Sequence, residues 1–163
     1  MIGFLSGIAK DYRRNLLLLD VHGVGYKVLI SNPDIQIGKP LDIYIHTHVR
    51  EDELSLFGFR TNADLEMFEN LLTVSGIGPK SALSIITAGS GEIIKKALLD
   101  SNLNFFTSIS GIGKKSAQRI IIELRSKITN DQTNLESLEG NPILVDALKE
   151  LGFKNQEINS VVA

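Results

Sequence analysis

The octapeptide SGIGPKSA at residues 75–82 returns 35 residues later as SGIGKKSA at residues 110–117, with seven of its eight letters unchanged. Each copy is entered from an apolar segment, Leu71, Leu72 and Val74 in the first and Phe105, Phe106 and Ile109 in the second. Each is left through residues that read as a helix start. Two glycines around a single isoleucine permit positive φ angles and close backbone approach, so Ile77 or Ile112 can plug the space between the flanking helices. A chain carrying this element twice is expected to hold two helical pairs of the same kind.

The same turn sets out chemistry. The amides around Gly76 and Gly78, or Gly111 and Gly113, converge with the unpaired N–H groups that open the next helix, which makes an anion site without net positive charge. Lys80, and Lys114 with Lys115, stand where they reach a phosphate held there. Ser81 and Ser116 add a hydroxyl, and the small Ala82 and Ala117 let the paired helices approach. This is the helix-hairpin-helix pattern, which grips phosphate backbone and reads duplex geometry more than base sequence. Two such hairpins can hold both strands across a minor groove, so DNA is the expected partner. The copies differ where Pro79 stands against Lys114, and only the second is followed by Arg119. The stretch from Gly111 to Arg119 is therefore expected to carry more of the electrostatic grip.

A net charge of −2 speaks against nucleic acid only until its distribution is read. The balance is 0 over residues 1–60, +2 over 61–128 and −4 over 129–163. Lys114, Lys115, Arg119, Arg125 and Lys127 face only Glu123 in the segment 104–128, the most basic of the chain. With no cysteine, disulfides, thiolate metal sites and a cysteine nucleophile are excluded. His46 and His48 fall on one face of an alternating strand with no third ligand nearby, so exposed strand histidines are preferred to a metal site. No apolar run approaches a membrane span and no signal peptide is seen, so a cytoplasmic address is the default.

The expected architecture is multi-domain, β followed by all-α. Residues 1–61 read as a five-stranded barrel, OB-type first and SH3-like second, from the short branched and aromatic runs IGFLSGIA, LLLLDV, GYKVLI, LDIYIHTHV and ELSLFGF. The polar or turn segments KDYRRN, HGVG and SNPDIQIGKP separate them. Residues 62–128 read as a tandem helix-hairpin-helix domain. Its first helix is capped by Thr61 or Asn62, its third by Ser90, and its last runs from Lys114 to about Lys127. Residues 129–140 read as a flexible acidic linker, and residues 141–163 as a small helical tail.

This order, with MIGFLSGI at the start, HGVGY after the second strand, VREDELSLFGF closing the barrel, and SGIGPKSA and SGIGKKSAQRIIIEL, resembles the RuvA family over essentially the whole chain. The resemblance implies a non-catalytic subunit that binds Holliday junctions in recombination and DNA repair and needs no cofactor. It implies a homotetramer holding an open four-way junction, with octamers on DNA left open. A hexameric ATPase, RuvB, would drive branch migration, and the RuvC nuclease would resolve the junction. It also places an acidic pin for strand separation at Glu51 and Asp52, which the residues alone present as a solvated turn. The family's third domain, a UBA-like three-helix bundle, docks on RuvB. Here the tail is shorter, either cut short or reduced, and contact through Leu144, Leu148, Leu151 and Phe153 competes with ordinary helix packing. Two readings of other classes stand beside this one. A glycosylase-like enzyme would need a catalytic Asp such as Asp131, which sits in polar TNDQTN without a pocket-forming domain. A single-strand binder would stack bases on Tyr12, Tyr26 and Tyr44.

Overall fold

A computed structural model describes residues 1–30 and 34–133, with side chains described through residue 128. The alternating runs become β1 (Phe4–Arg13), β2 (Leu16–Val21), β3 (Val24–Ile30), β4 (Pro40–Val49) and β5 (Leu54–Phe59). They close in the order β1-β2-β3-β5-β4, with β3 and β5 parallel through Val28↔Leu56 and every other pair antiparallel. That order is the OB-like barrel. Period-two alternation puts Leu17, Leu19, Val28, Ile43 and Ile45 inside it.

Two-residue turns fix the first two hairpins. Arg14 and Asn15 (φ 51° and 66°) join β1 to β2, while His22 and Gly23 (φ 52° and 88°) join β2 to β3. At the second turn the Gly23 amide donates to Asp20 at 2.8 Å and Lys10 pairs with it at 3.2 Å, holding the Asp20 carboxyl below its usual range. The segment KDYRRN, expected to lie between strands, instead extends β1 through Arg13. A register shift between Ala9 and Asp11 absorbs the polar interruption, and Tyr12 packs against the core beyond it.

The switch to helices follows β5 directly. α1 (Asn62–Leu72) starts beneath Thr61, whose hydroxyl oxygen accepts the Asp64 amide at 3.1 Å. Phe68 of α1 is fully buried, with ring centroids 5.3 Å from Phe57, 4.8 Å from Phe59 and 5.3 Å from His46. This aromatic cluster seats the helix on β4 and β5. Then come α2 (Pro79–Ala88), α3 (Gly91–Leu99), α4 (Leu103–Thr107) and α5 (Lys114–Thr133). Ser90 occupies the cap position of α3 but its side chain makes no cap bond. The Gly91 amide donates instead to the Asp64 carboxylate at 2.7 Å, so a residue of α1 caps α3. α5 runs to Thr133, past the expected stop near Lys127 and into the first residues of the expected linker. The segment TNDQT contains no Gly or Pro to stop it there.

Residues Met1–Leu124 form one compact unit. The rest of the expected linker and the tail, including Leu144, Leu148, Leu151 and Phe153, lie outside the described residues. Among those described, no helix is long and apolar enough to cross a membrane.

Candidate nucleic-acid interface

The two octapeptides fold the same way, bond for bond. Val74 N–H donates to Leu71 O at 3.1 Å, and Ile109 N–H to Phe106 O at 3.2 Å. The isoleucine amides then turn back, Ile77 to Val74 O and Ile112 to Ile109 O, both at 3.0 Å. The next helix opens with Ala82 N–H on Gly78 O and Ala117 N–H on Gly113 O, both at 2.9 Å. Gly76 and Gly111 hold φ of 85° and 86°, a conformation that disfavours any side chain. Ile77 and Ile112 are buried, as are Ala82 and Ala117, so the turn's apolar positions all face inward.

What remains outside is the proposed grip. Gly76, Gly78, Gly111, Gly113, Lys80, Lys114, Lys115 and Arg119 are exposed, while Ser81 and Ser116 are half-buried. A Cβ built at Gly78, Gly111 or Gly113 would meet nothing within 4 Å. These backbones are open to close approach from outside, and helix geometry leaves the amides of Lys80, Ser81, Lys114, Lys115 and Ser116 without an acceptor in their own helix. The copies are not equal. Pro79 opens α2 and has no N–H, whereas Lys114 opens α5 and keeps one. The second hairpin thus offers one more donor as well as one more charge.

Arg119 does something its spacing did not signal. Its Nη1 donates to the carbonyl of Ser75, 44 residues away in the first hairpin, at 3.0 Å. Its Nε lies 3.9 Å from Glu123, an exposed i,i+4 pair of small worth. One guanidinium therefore ties the helix of the second hairpin to the turn of the first.

Glu51 and Asp52 are exposed at the tip of the β4–β5 hairpin, which closes through the Arg50 amide and Glu53 O at 2.8 Å. His46 and His48 stack at 6.3 Å on one face of β4, and His46 Nδ1 lies 3.0 Å from the Glu69 carboxylate. Among the described residues no group of three His, Cys, Asp or Glu is placed to hold a metal. Of the tyrosines offered as a stacking platform, Tyr12 and Tyr26 pack against the barrel core, and Tyr44 pairs with Phe4 at 5.7 Å. They form no row of free rings. Asp131 lies within α5, not beyond a helix end.

Residues 1–58 match the family model described as RuvA N terminal domain, and residues 68–126 match SAM-like Helix-hairpin-helix tandem, which spans both turns. The chain is 38% identical to a Geobacter metallireducens protein, over 100% of this chain and 88% of the relative. It is 36% identical to one from Acetivibrio thermocellus, over 100% and 89%, and 34% identical to one from Limosilactobacillus reuteri, over 99% and 88%. Each of these relatives is named Holliday junction branch migration complex subunit RuvA.

Proposed function

The chain belongs to the RuvA family of Holliday junction branch migration complex subunits, and from that premise we propose that it holds an open four-way junction as a homotetramer while partners do the chemistry. One observation carries the reading: two hairpins with matching hydrogen bonds present open glycines and helix-opening amides that have no acceptor in their own helix, beside Lys80, Lys114 and Lys115. Each subunit grips the minor groove of one arm through backbone phosphates and reads shape, not sequence. Four subunits joined on one face turn modest contacts into avidity for a four-armed target. The subunit is cytoplasmic and non-catalytic and uses no cofactor. ATP hydrolysis belongs to the RuvB ring and cleavage to RuvC.

Glu51 and Asp52 act by repulsion in this arrangement. Carboxylates near the phosphates of a junction centre add no affinity, but they keep strands apart and steer them into separate arms. Glu51→Gln with Asp52→Asn is expected to leave junction affinity unchanged or raise it about threefold, by relieving the screened repulsion of two carboxylates per subunit, while slowing RuvB-driven migration. A gel-shift titration beside a migration assay reads both, and a large loss of affinity removes the pin role.

Competition of a four-way junction against linear duplex and single strand, with light scattering on the same sample, tests the whole reading. A tetramer that prefers the junction supports it, and equal affinity for all three overturns it. Base excision from damaged duplex would instead favour the glycosylase-like alternative.

A further inference from the structure

A cleft of about 280 Å³ lies between the barrel and the first hairpin, with Arg50, Glu53 and His48 on the barrel side and Lys80 and Ser81 on the helix side. Two cations thus face it against one carboxylate, and that carboxylate is already engaged by the Ser55 hydroxyl. Arg50 is exposed and, among the described residues, has no ion-pair partner. Its Nε donates to His48 Nε2 at 3.1 Å, which lays the guanidinium along β4 beside the cleft. Lys80 likewise has no ion pair among the described residues. Unpaired cations on both walls of one groove fit a passing anion better than they fit each other.

We infer that this cleft takes a backbone phosphate of the strand that leaves the first hairpin for the junction centre, with Arg50 as its barrel-side contact. The inference rests on the junction reading above and adds to it a third contact, outside both hairpins. Arg50 immediately precedes Glu51 and Asp52. An attractive group thus stands beside the repulsive pair, and the strand is held as it is turned away from the centre. Linear duplex lying across the hairpins alone does not send a strand toward the β4–β5 tip. Arg50 therefore contributes to discrimination between junction and duplex more than to general DNA affinity.

Affinity for a four-way junction and for linear duplex, measured over a salt series with the full chain, tests this. Arg50→Ala is expected to lower junction affinity about fivefold or more against about twofold or less for duplex, and to reduce the junction salt slope by about 0.9 for each phosphate contact removed. Arg50→Lys should recover most of the slope. The same loss must persist in a Glu51→Gln, Asp52→Asn background, because a cation that merely shields the pin would then have nothing left to shield. Equal losses on junction and duplex, no loss, or a loss that vanishes in the neutral-pin background each overturn the inference while leaving the junction reading intact. A wild-type protein without junction preference overturns that reading and this inference with it. Unchanged thermal unfolding of Arg50→Ala shows that the loss is not one of folding.

Discussion

Gly78→Val combined with Gly113→Val is expected to leave the fold in place and to weaken four-way junction binding about 100-fold or more. The reasoning starts from what the two positions touch. Gly78 caps α2 in an extended conformation, φ −93° and ψ 174°, open to any residue. A Cβ at either position meets no protein atom within 4 Å. The added side chains therefore cost the fold little, on the order of a weakened helix cap, up to about 1 kcal/mol each. They stand, however, in the space where a phosphate must come to reach the first-turn amides. A hydrogen bond to a charged acceptor contributes about 1.5–3 kcal/mol, so one lost at each hairpin amounts to about 3 kcal/mol or more. At about 1.4 kcal/mol per tenfold, that is two decades of affinity. Fluorescence anisotropy with labelled junction measures the loss, and thermal unfolding measures the fold. Gly76→Val with Gly111→Val is the contrast, because φ near 85° strains any side chain and folding should fail along with binding. A well-folded Gly78→Val, Gly113→Val protein that binds within threefold of wild type would remove the hairpins from the interface.

The hairpins were legible because everything that builds them is local. Two glycines, one isoleucine, one alanine and the helix-opening residues fall within eight positions, and the turn's backbone bonds and glycine φ angles follow from that local pattern. The barrel was legible in its strand count and less so in its strand ends. Lys10 and Asp11 look like a loop, since nothing in the alternation announces a bulge that lets β1 continue to Arg13. Capping shows the same divide. Thr61 caps α1 from three residues away, a pattern that sequence spacing exposes. α3 takes its cap from Asp64, 27 residues back, where Ser90 looked sufficient.

The site divides in the same manner. The lysines that follow each turn could be named from spacing alone, but the reach of Arg119 to Ser75 depends on how the hairpins lie side by side. Likewise RED reads as a solvated turn until the fold brings Arg50 to the rim of a cleft that Lys80 closes from the other side. Only the summed charge pointed away from nucleic acid, since −2 hides a basic second hairpin behind acidic residues elsewhere, and the distribution along the chain already exposed it.

That basic hairpin is expected to dominate the electrostatics. Lys114→Ala with Lys115→Ala and Arg119→Ala should cost about 30-fold or more in junction affinity, against about threefold for Lys80→Ala, with a correspondingly shallower salt dependence. The count of charges is only part of the reason. Pro79 deprives the first hairpin of an amide that Lys114 supplies in the second, so the first copy leans on what Arg119 lends it through Ser75. Removing Arg119 therefore weakens both hairpins, whereas removing Lys80 weakens one. Arg119→Lys separates the two effects. An ammonium restores the charge, and with it the salt slope, but not the planar fork that can donate to the Ser75 carbonyl and to a phosphate at once. Affinity should then stay several-fold below wild type at every salt concentration, because an interaction with a neutral carbonyl is not screened as a charge pair is. Full recovery by Arg119→Lys would reduce Arg119 to a point charge, and a greater loss from Lys80→Ala than from the triple substitution would reverse the order of the two hairpins.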